Sequence, residues 1–263
     1  MQTCRSIATA TRERIVWLEA LRRVCVVNSI FLPTFPLEEM SQRALEHAAT
    51  SPSRFLNLFM KKNDTVHPFA TRLFDSRRSS DDGMLQDCCL IPGGRFLLSR
   101  SIYSIIHLWD LGYTSEAMIK PFPIASMTSD SAQIVTIQPT RDDMGLQIVL
   151  SGSPEYVFSC LHSCDDVKQH KRVDGVSIYV YEVYPLSIAP TFRMVASLEN
   201  MNNLSGAISS ARDLIAVHHN NAVTVWNFVL DSMVTWDVSI EYEDVCSFPC
   251  NSCSCFPDDV IRR

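Results

Sequence analysis

The chain has 263 residues, of which 46% are hydrophobic, and it carries a formal net charge of −6 at pH 7. This length allows one large or two small domains with a substantial core. The acidic balance argues against a nucleic-acid or anionic-membrane partner, because both need clustered lysine and arginine.

The N-terminal residues are polar and lack the apolar core of a secretory signal peptide. The longest apolar runs are also shorter than the roughly 20 residues of a membrane helix. We therefore predict a cytoplasmic or nuclear protein. In either compartment the ten cysteines are expected to be reduced, and we interpret Cys25 and Cys160 as small buried hydrophobic residues rather than disulfide partners.

Helical periodicity marks the first 62 residues. Over residues 13–28, apolar residues recur at three- and four-residue steps and predict one apolar helix face. That face comprises Val16, Trp17, Leu21, Val24 and Cys25. Residues 31–37 contain two prolines, which exclude a continuing helix and favour an extended connector.

Two further helices are predicted after this connector. Ser41 is suited to cap a helix over residues 42–49. Ser51 followed by Pro52 is typical of a helix start, here of a helix over residues 52–62. Its apolar face comprises Phe55, Leu56 and Phe59.

Residues 61–87 have mixed charges and weak periodicity, which predicts a linker or exposed loop with a short strand near residues 69–74. Short β runs follow for the rest of the chain. Within residues 90–112, a Pro-Gly-Gly turn precedes two apolar runs, residues 95–99 and 103–111, and the second run ends in Trp109-Asp110-Leu111. WD-type repeats place their Trp-Asp dipeptide at such a position.

The aromatic–polar–apolar ending recurs twice, at Tyr181-Glu182-Val183 and at Trp226-Asn227-Phe228. The aromatic residues of these two endings are 45 positions apart, close to the roughly 40 to 45 residues of a WD-type blade. Trp109 and Tyr181 are 72 positions apart, so we assign an insertion to residues 159–175. Further strands are predicted at residues 133–137, 146–150 and 214–217, with Asn220-Asn221 as a hairpin turn.

The tryptophans that end these runs, together with Trp236 of a later Trp-Asp-Val sequence, are expected to pack between neighbouring blades. The Gly-His element and the turn aspartate of well-formed WD repeats are missing from the sequence. We therefore do not expect the full polar network of such repeats.

Four ordered motifs, TCRSIATATRERIVWLEALRRVC, FPLEEMSQRALEHAATSPSRF, LIPGGRFLLS and IIHLWDLG, resemble fungal F-box proteins with a degenerate WD-like propeller over about residues 2–230. The resemblance implies an α+β chain with a truncated, helical F-box remnant followed by an incomplete WD40-like antiparallel β-propeller. The corresponding divisions are residues 1–62 for the F-box remnant, 63–86 for a linker, 87–240 for the propeller fragment and 241–263 for a cysteine-rich tail that is expected to be disordered.

In that family the F-box binds the Skp1 adaptor of a cullin-RING ubiquitin ligase, and the propeller presents a protein substrate. The match begins at what resembles the last third of an F-box. Trp17, Leu18 and Leu21 are then either remaining contacts to a Skp1-like adaptor or the core of a helical pair, and the sequence leaves both interpretations open.

Two groups of residues suggest metal ligands: Cys246, Cys250, Cys253 and Cys255 in the tail, and Cys160, His162, Cys164 and His170 in the insertion. Neither has the two separated Cys-x-x-Cys-type pairs of usual zinc sites. His218 and His219 are adjacent at a predicted strand end, so their side chains point to opposite faces. We therefore expect no metal site, and a small zinc-binding protein remains the weakest alternative.

The sequence contains no nucleophile elbow, no Ser-x-x-Lys with accompanying partners and no P-loop. The resulting hypothesis is a non-catalytic substrate-recognition adaptor of an SCF-type ubiquitin ligase that needs no cofactor and binds an unknown protein substrate. The alternative is a protein-interaction module that is uncoupled from the ligase.

Overall fold

The computed structural model describes residues 11–60, 71, 84–114, 118–129, 132–152, 176–201, 207–219 and 222–238. These ranges contain the helices α1 (Arg14–Val27), α2 (Gln42–Ala49) and α3 (Ser51–Met60) and a 3-10 helix (Leu32–Thr34). None of these helices has the length and apolar character that crossing a bilayer requires.

Twelve strands form three four-stranded sheets in the same ranges. Sheet 1 comprises β1 (Leu85–Leu90), β2 (Phe96–Ser101), β3 (Ile105–Asp110) and β4 (Ala125–Thr128). Sheet 2 comprises β5 (Ala132–Pro139), β6 (Leu146–Gly152), β7 (Val176–Val183) and β8 (Arg193–Met201). Sheet 3 comprises β9 (Ile208–Ala211), β10 (Leu214–His219), β11 (Ala222–Asn227) and β12 (Ser232–Asp237).

The predicted helices form, with two corrections at the residue level. The Ser41 hydroxyl accepts a hydrogen bond from the Ala44 N–H at 3.2 Å, so the predicted cap is confirmed. Ser51 does not act as a cap, because its hydroxyl donates to the Ala48 carbonyl oxygen of the preceding helix. On α1, Leu21 is buried as predicted, whereas Val16 is exposed.

The prediction of an extended connector over residues 31–37 is wrong in part, because Leu32–Thr34 form a 3-10 helix. Proline is compatible with the start of a helical turn. An N–H group at that position would have no acceptor within the turn, so the lack of one in proline costs no hydrogen bond. Phe31, immediately before the turn, is buried against Phe96 of sheet 1, with ring centroids 6.0 Å apart. The helical segment is thereby attached to the first sheet.

Each sheet is an antiparallel meander with its strands in chain order. Four-stranded antiparallel sheets of this kind are the blades of β-propellers. The three aromatic–polar–apolar endings lie at equivalent places, at the ends of β3, β7 and β11, which are the third strands of their sheets. The predicted repeat is therefore confirmed, and the described residues contain three blade-like units.

Sheet 2 packs between the other two sheets. Ile148 and Leu150 of β6 belong to a core shared with Phe96 and Leu108 of sheet 1. Val149, between them in sequence, belongs to a second core, shared with sheet 3. Successive residues of a strand point to opposite faces, so the continuous apolar run of β6 reflects burial on both sides.

Five strands were not predicted: β1, β4, β8, β9 and β12. All five lie at sheet edges, where a strand needs no continuous apolar run. β1 begins at Leu85, inside the segment that we assigned to the linker. The predicted strand near residues 69–74, the insertion at 159–175, the Asn220-Asn221 turn and the tail at 241–263 lie outside the described residues.

The three tryptophans of the repeat units differ in burial. Trp109 is buried, and its indole N–H donates to the Ser99 hydroxyl at 2.8 Å. Trp226 is also buried, and its indole N–H lies 3.3 Å from an Asp231 carboxylate oxygen. Trp236 is 52% exposed on the edge strand β12, so the prediction of a packed Trp236 is wrong.

Candidate functional site

A groove of about 430 Å³ lies where the 3-10 segment meets sheets 1 and 2. This volume is within the range of about 300 to 1,000 Å³ that is usual for ligand sites. The lining residues are Leu32, Pro33, Phe35, Pro36, Leu37, Glu38, Glu39, Arg95, Tyr113, Met144 and Leu186. One wall therefore comes from the helical region and the other from the sheets.

The strand order explains why the second wall forms. In an antiparallel meander, the first–second and third–fourth connections lie at the same end of the sheet. Arg95 and Tyr113 belong to these two connections in sheet 1, and Met144 and Leu186 belong to the corresponding two in sheet 2. Side chains that are far apart in sequence thus meet at one end of the stacked sheets.

Contacts with the turn between β1 and β2 hold the first wall in place. The Phe31 N–H donates to the Pro92 carbonyl oxygen at 3.0 Å. Arg95 Nη1 donates to the Pro33 carbonyl oxygen at 3.3 Å. Gly93 lies against Thr34, whose side chain would overlap a Cβ added at Gly93. The turn between β1 and β2 is therefore in close contact with the 3-10 helix.

A Gly93→Ala substitution is expected to lower the free energy of unfolding by more than about 1 kcal/mol, because φ at Gly93 is +114° and the new methyl group would overlap Thr34. Gly94→Ala is the matched control, since Gly94 also has a positive φ of +80° but an added Cβ would meet nothing within 4 Å. Urea denaturation of both variants measures the difference. Equal losses would show that backbone strain alone is responsible.

Arg95 forms a bidentate ion pair with Asp110 beside the groove. Its Nε and Nη2 lie 2.9 and 2.8 Å from the two carboxylate oxygens. Both side chains are largely buried, and the Gly112 N–H also donates to Asp110. Burial favours a higher pKa for the Asp110 carboxyl, but the hydrogen bonds from Arg95 and Gly112 and the charge of Arg95 outweigh it, so the pKa is lowered.

Asp110→Asn is expected to weaken the dependence of stability on pH. A lowered pKa in the folded state means that Asp110 contributes its full stabilisation above its unfolded pKa of about 3.9, and loses it as the pH falls through the folded value. As the pH is lowered from about 6 to about 3, the free energy of unfolding should therefore fall more steeply for the wild type than for D110N. Denaturant titrations across this pH range measure both profiles. Asp237→Asn, on exposed β12, is the control, and a D110N profile parallel to the wild type would contradict the expectation.

A second, polar cleft of about 570 Å³ lies between the turns of sheets 2 and 3. Gln138 donates to the Arg212 carbonyl oxygen at 2.7 Å and accepts from the Arg212 N–H at 3.1 Å. Arg141 forms a salt bridge with Asp213. The polar groups of this cleft thus bond to one another, and they join the two sheets.

The residues predicted to contact an adaptor lie together on α1. Leu21 is 0% exposed and belongs to the core of the helical region with Cys25 and Leu45. Trp17 and Leu18 are half-buried at the edge of that core. The Trp17 indole N–H donates to the Thr11 carbonyl oxygen at 2.7 Å. Only Trp17 and Leu18 of the three therefore retain accessible surface.

Sequence reasoning missed a different surface on the helices. Phe55 and Leu56 belong to the predicted apolar face of α3, and both are exposed. Leu58 and Met60 of the same helix are exposed as well, Met60 to 82%. Val26 and Val27 add further exposed apolar area at the end of α1. An apolar surface of this kind is a feature of interaction sites.

Within the described ranges, no three His, Cys, Asp or Glu side chains are placed so that they could share a metal ion. His218 and His219 end strand β10, opposite Val223 and Ala222, so their predicted place at a strand end is confirmed. The cysteine and histidine candidates of the insertion and the tail lie outside the described residues.

Cys25 is expected to react with iodoacetamide at least about tenfold more slowly than Cys88. Cys25 is buried in the helical core, as predicted, and burial raises the pKa of its thiol to about 11, which lowers the thiolate population. Cys88 is exposed on the edge strand β1. Mass mapping of modified peptides measures both rates, and denatured protein, in which they should converge, is the control. Equal rates in the folded protein would contradict the placement of Cys25.

No protein-family model matches the chain, and no curated protein matches it. Among solved structures, the chain is similar to the β-propeller domain of Myceliophteria thermophila Cps50 (Swd1), with 16% identity over 62% of this chain and 48% of that one and a TM-score of 0.40. It is also similar to the AfRom2 CNH domain, with 15% identity over 57% and 53% of the two chains and a TM-score of 0.26. The chain thus spans about half the length of these structures. The blade-like form of its three sheets is shown by the strand order and register within this chain.

Proposed function

We propose that this chain is a non-catalytic protein-interaction adaptor of an SCF-type ubiquitin ligase, in the cytoplasm or nucleus. Its helices would dock on a Skp1-like adaptor, and its sheets would bind the protein to be modified. The observation that carries the proposal is the exposed apolar surface of α3, on a helical unit that is attached to blade-like sheets through Phe31. Trp17 and Leu18 are the further contacts that the F-box resemblance supplies.

Binding of purified Skp1 to the chain, measured by biolayer interferometry, tests this role. A Leu56→Asp, Met60→Asp double variant is expected to weaken binding more than about tenfold, because it places two charges in an apolar contact. The matched control is Val229→Asp, Leu230→Asp, which changes two exposed apolar residues in the turn between β11 and β12.

Absence of Skp1 binding by the folded wild-type chain would contradict the ligase role. The alternative, an interaction module uncoupled from the ligase, would then account for the same fold. Binding that the α3 variant retains would place the adaptor contact elsewhere, and a variant of half-buried Trp17 would then be the next test.

A further inference from the structure

The groove between the 3-10 segment and sheets 1 and 2 exposes large apolar side chains on both walls. Tyr113, Met144 and Leu186 on the sheet side are each 44 to 49% exposed. Leu32 and Phe35 are half-buried on the opposite side. Apolar side chains along two facing walls suit the successive side chains of an extended chain segment.

Among the charged residues that line the groove, only acidic ones lack an ion-pair partner within the described ranges. Glu38 and Glu39 are adjacent, both are exposed, and neither takes part in an ion pair within the described ranges. Arg95 also lines the groove, but the carboxylate of Asp110 compensates its charge. A partner with lysine or arginine beside its apolar residues would therefore be electrostatically complementary.

The acidic wall is already ordered. The Glu39 and Met40 N–H groups donate to the Pro36 carbonyl oxygen at 2.9 and 3.1 Å. The Arg14 guanidinium of α1 donates to the carbonyl oxygens of Leu37 and Met40 from outside the groove. A wall fixed in this way loses little conformational entropy when a partner binds.

We propose that this groove binds an extended peptide segment of the partner protein in which apolar residues stand next to lysine or arginine. The proposal rests on the adaptor function and names the class of segment that the adaptor would recognise. The apolar side chains of the segment lie between Phe35 and Leu186, and its cations lie beside Glu38 and Glu39.

A random peptide library displayed on phage, selected against the full chain, tests the proposal. The expected result is enrichment of peptides with apolar residues next to lysine or arginine. Fluorescence anisotropy with the synthesised peptides then compares variants. Leu186→Asp is expected to weaken binding at least about tenfold, and E38Q/E39Q about 3- to 10-fold, in a salt-dependent way.

Two controls match these changes. Ile188→Asp alters a fully exposed residue in the same turn that does not line the groove. E46Q/E199Q removes the same net charge from exposed positions elsewhere. Both controls are expected to bind like the wild type, and equal unfolding midpoints confirm that each variant is folded.

Failure to select apolar–basic peptides, or equal affinity of the wild type and the Leu186→Asp and E38Q/E39Q variants, would overturn the groove proposal. Skp1 binding by the same proteins reports separately on the adaptor function. A chain that binds Skp1 but no such peptide would thus lose the groove proposal alone, whereas a chain that binds such peptides but not Skp1 would keep the groove and lose the ligase role.

Discussion

A Phe31→Ala variant is expected to lose about 3 to 5 kcal/mol of unfolding free energy, the usual cost of truncating a fully buried phenylalanine. Phe31 is 1% exposed and belongs to one core with Phe96 and Ile106 of sheet 1, although it lies in the connector after α1. Its loss would leave a cavity at the place where the helical region joins the sheets. Urea denaturation followed by circular dichroism measures the change.

Phe122→Ala is the control for this variant, since Phe122 is 61% exposed in the connection between β3 and β4. A change of no more than about 0.5 kcal/mol is expected there. A loss for Phe31→Ala as small as that of the control would mean that the helical region is not anchored through Phe31.

The Phe31 variant should also bind the selected peptides more weakly, because one wall of the groove follows directly after Phe31.

Trp226→Ala is expected to cost about 3 to 5 kcal/mol, whereas Trp236→Ala should cost less than about 1 kcal/mol. The two residues lie on neighbouring strands of sheet 3, but Trp226 is 2% exposed and packs with Val149 and Ile178 of sheet 2. Trp226 also stacks edge-to-face on Phe228, at 6.1 Å between ring centroids, which adds to the loss.

The same denaturation experiment compares the two tryptophan variants, each of which removes one indole from the same sheet. The difference in their unfolding free energies therefore reports the packing of Trp226 against sheet 2 and Phe228 rather than the intrinsic strand preference of tryptophan. Equal costs would contradict the exposed position of Trp236 and would indicate that another surface covers β12.

Local sequence patterns predicted the elements whose signals are contained in a few consecutive residues. The Ser41 cap, the turn around Gly93 and the strands that end at Trp109 and Trp226 all follow from the chemistry of neighbouring residues. Edge strands such as β12 and β1 were missed because their side chains are exposed along the whole strand or at alternate residues, so a continuous apolar run is not required.

The groove could not be predicted, because its walls are brought together by strand order rather than by any local motif. Leu32 and Leu186 are 154 positions apart, and neither residue has a pattern that identifies a binding site. The burial of the apolar faces of α1 and α3 could not be predicted either. Both are visible as helical periodicity, but sequence alone does not indicate that α1 buries Leu21 while α3 leaves Met60 exposed.

The sequence by itself determined where the three α-helices and the central strands of the sheets form and that an aromatic–polar–apolar ending repeats, since backbone preferences and side-chain alternation act over a few residues. Only the tertiary structure decided what covers each apolar face. Trp226 and Trp236 have similar local settings, but sheet 2 packs on the first and no described element packs on the second to the same extent. Burial depends on contacts between elements that are distant in sequence, and those same contacts place Glu38, Glu39 and Leu186 around one groove.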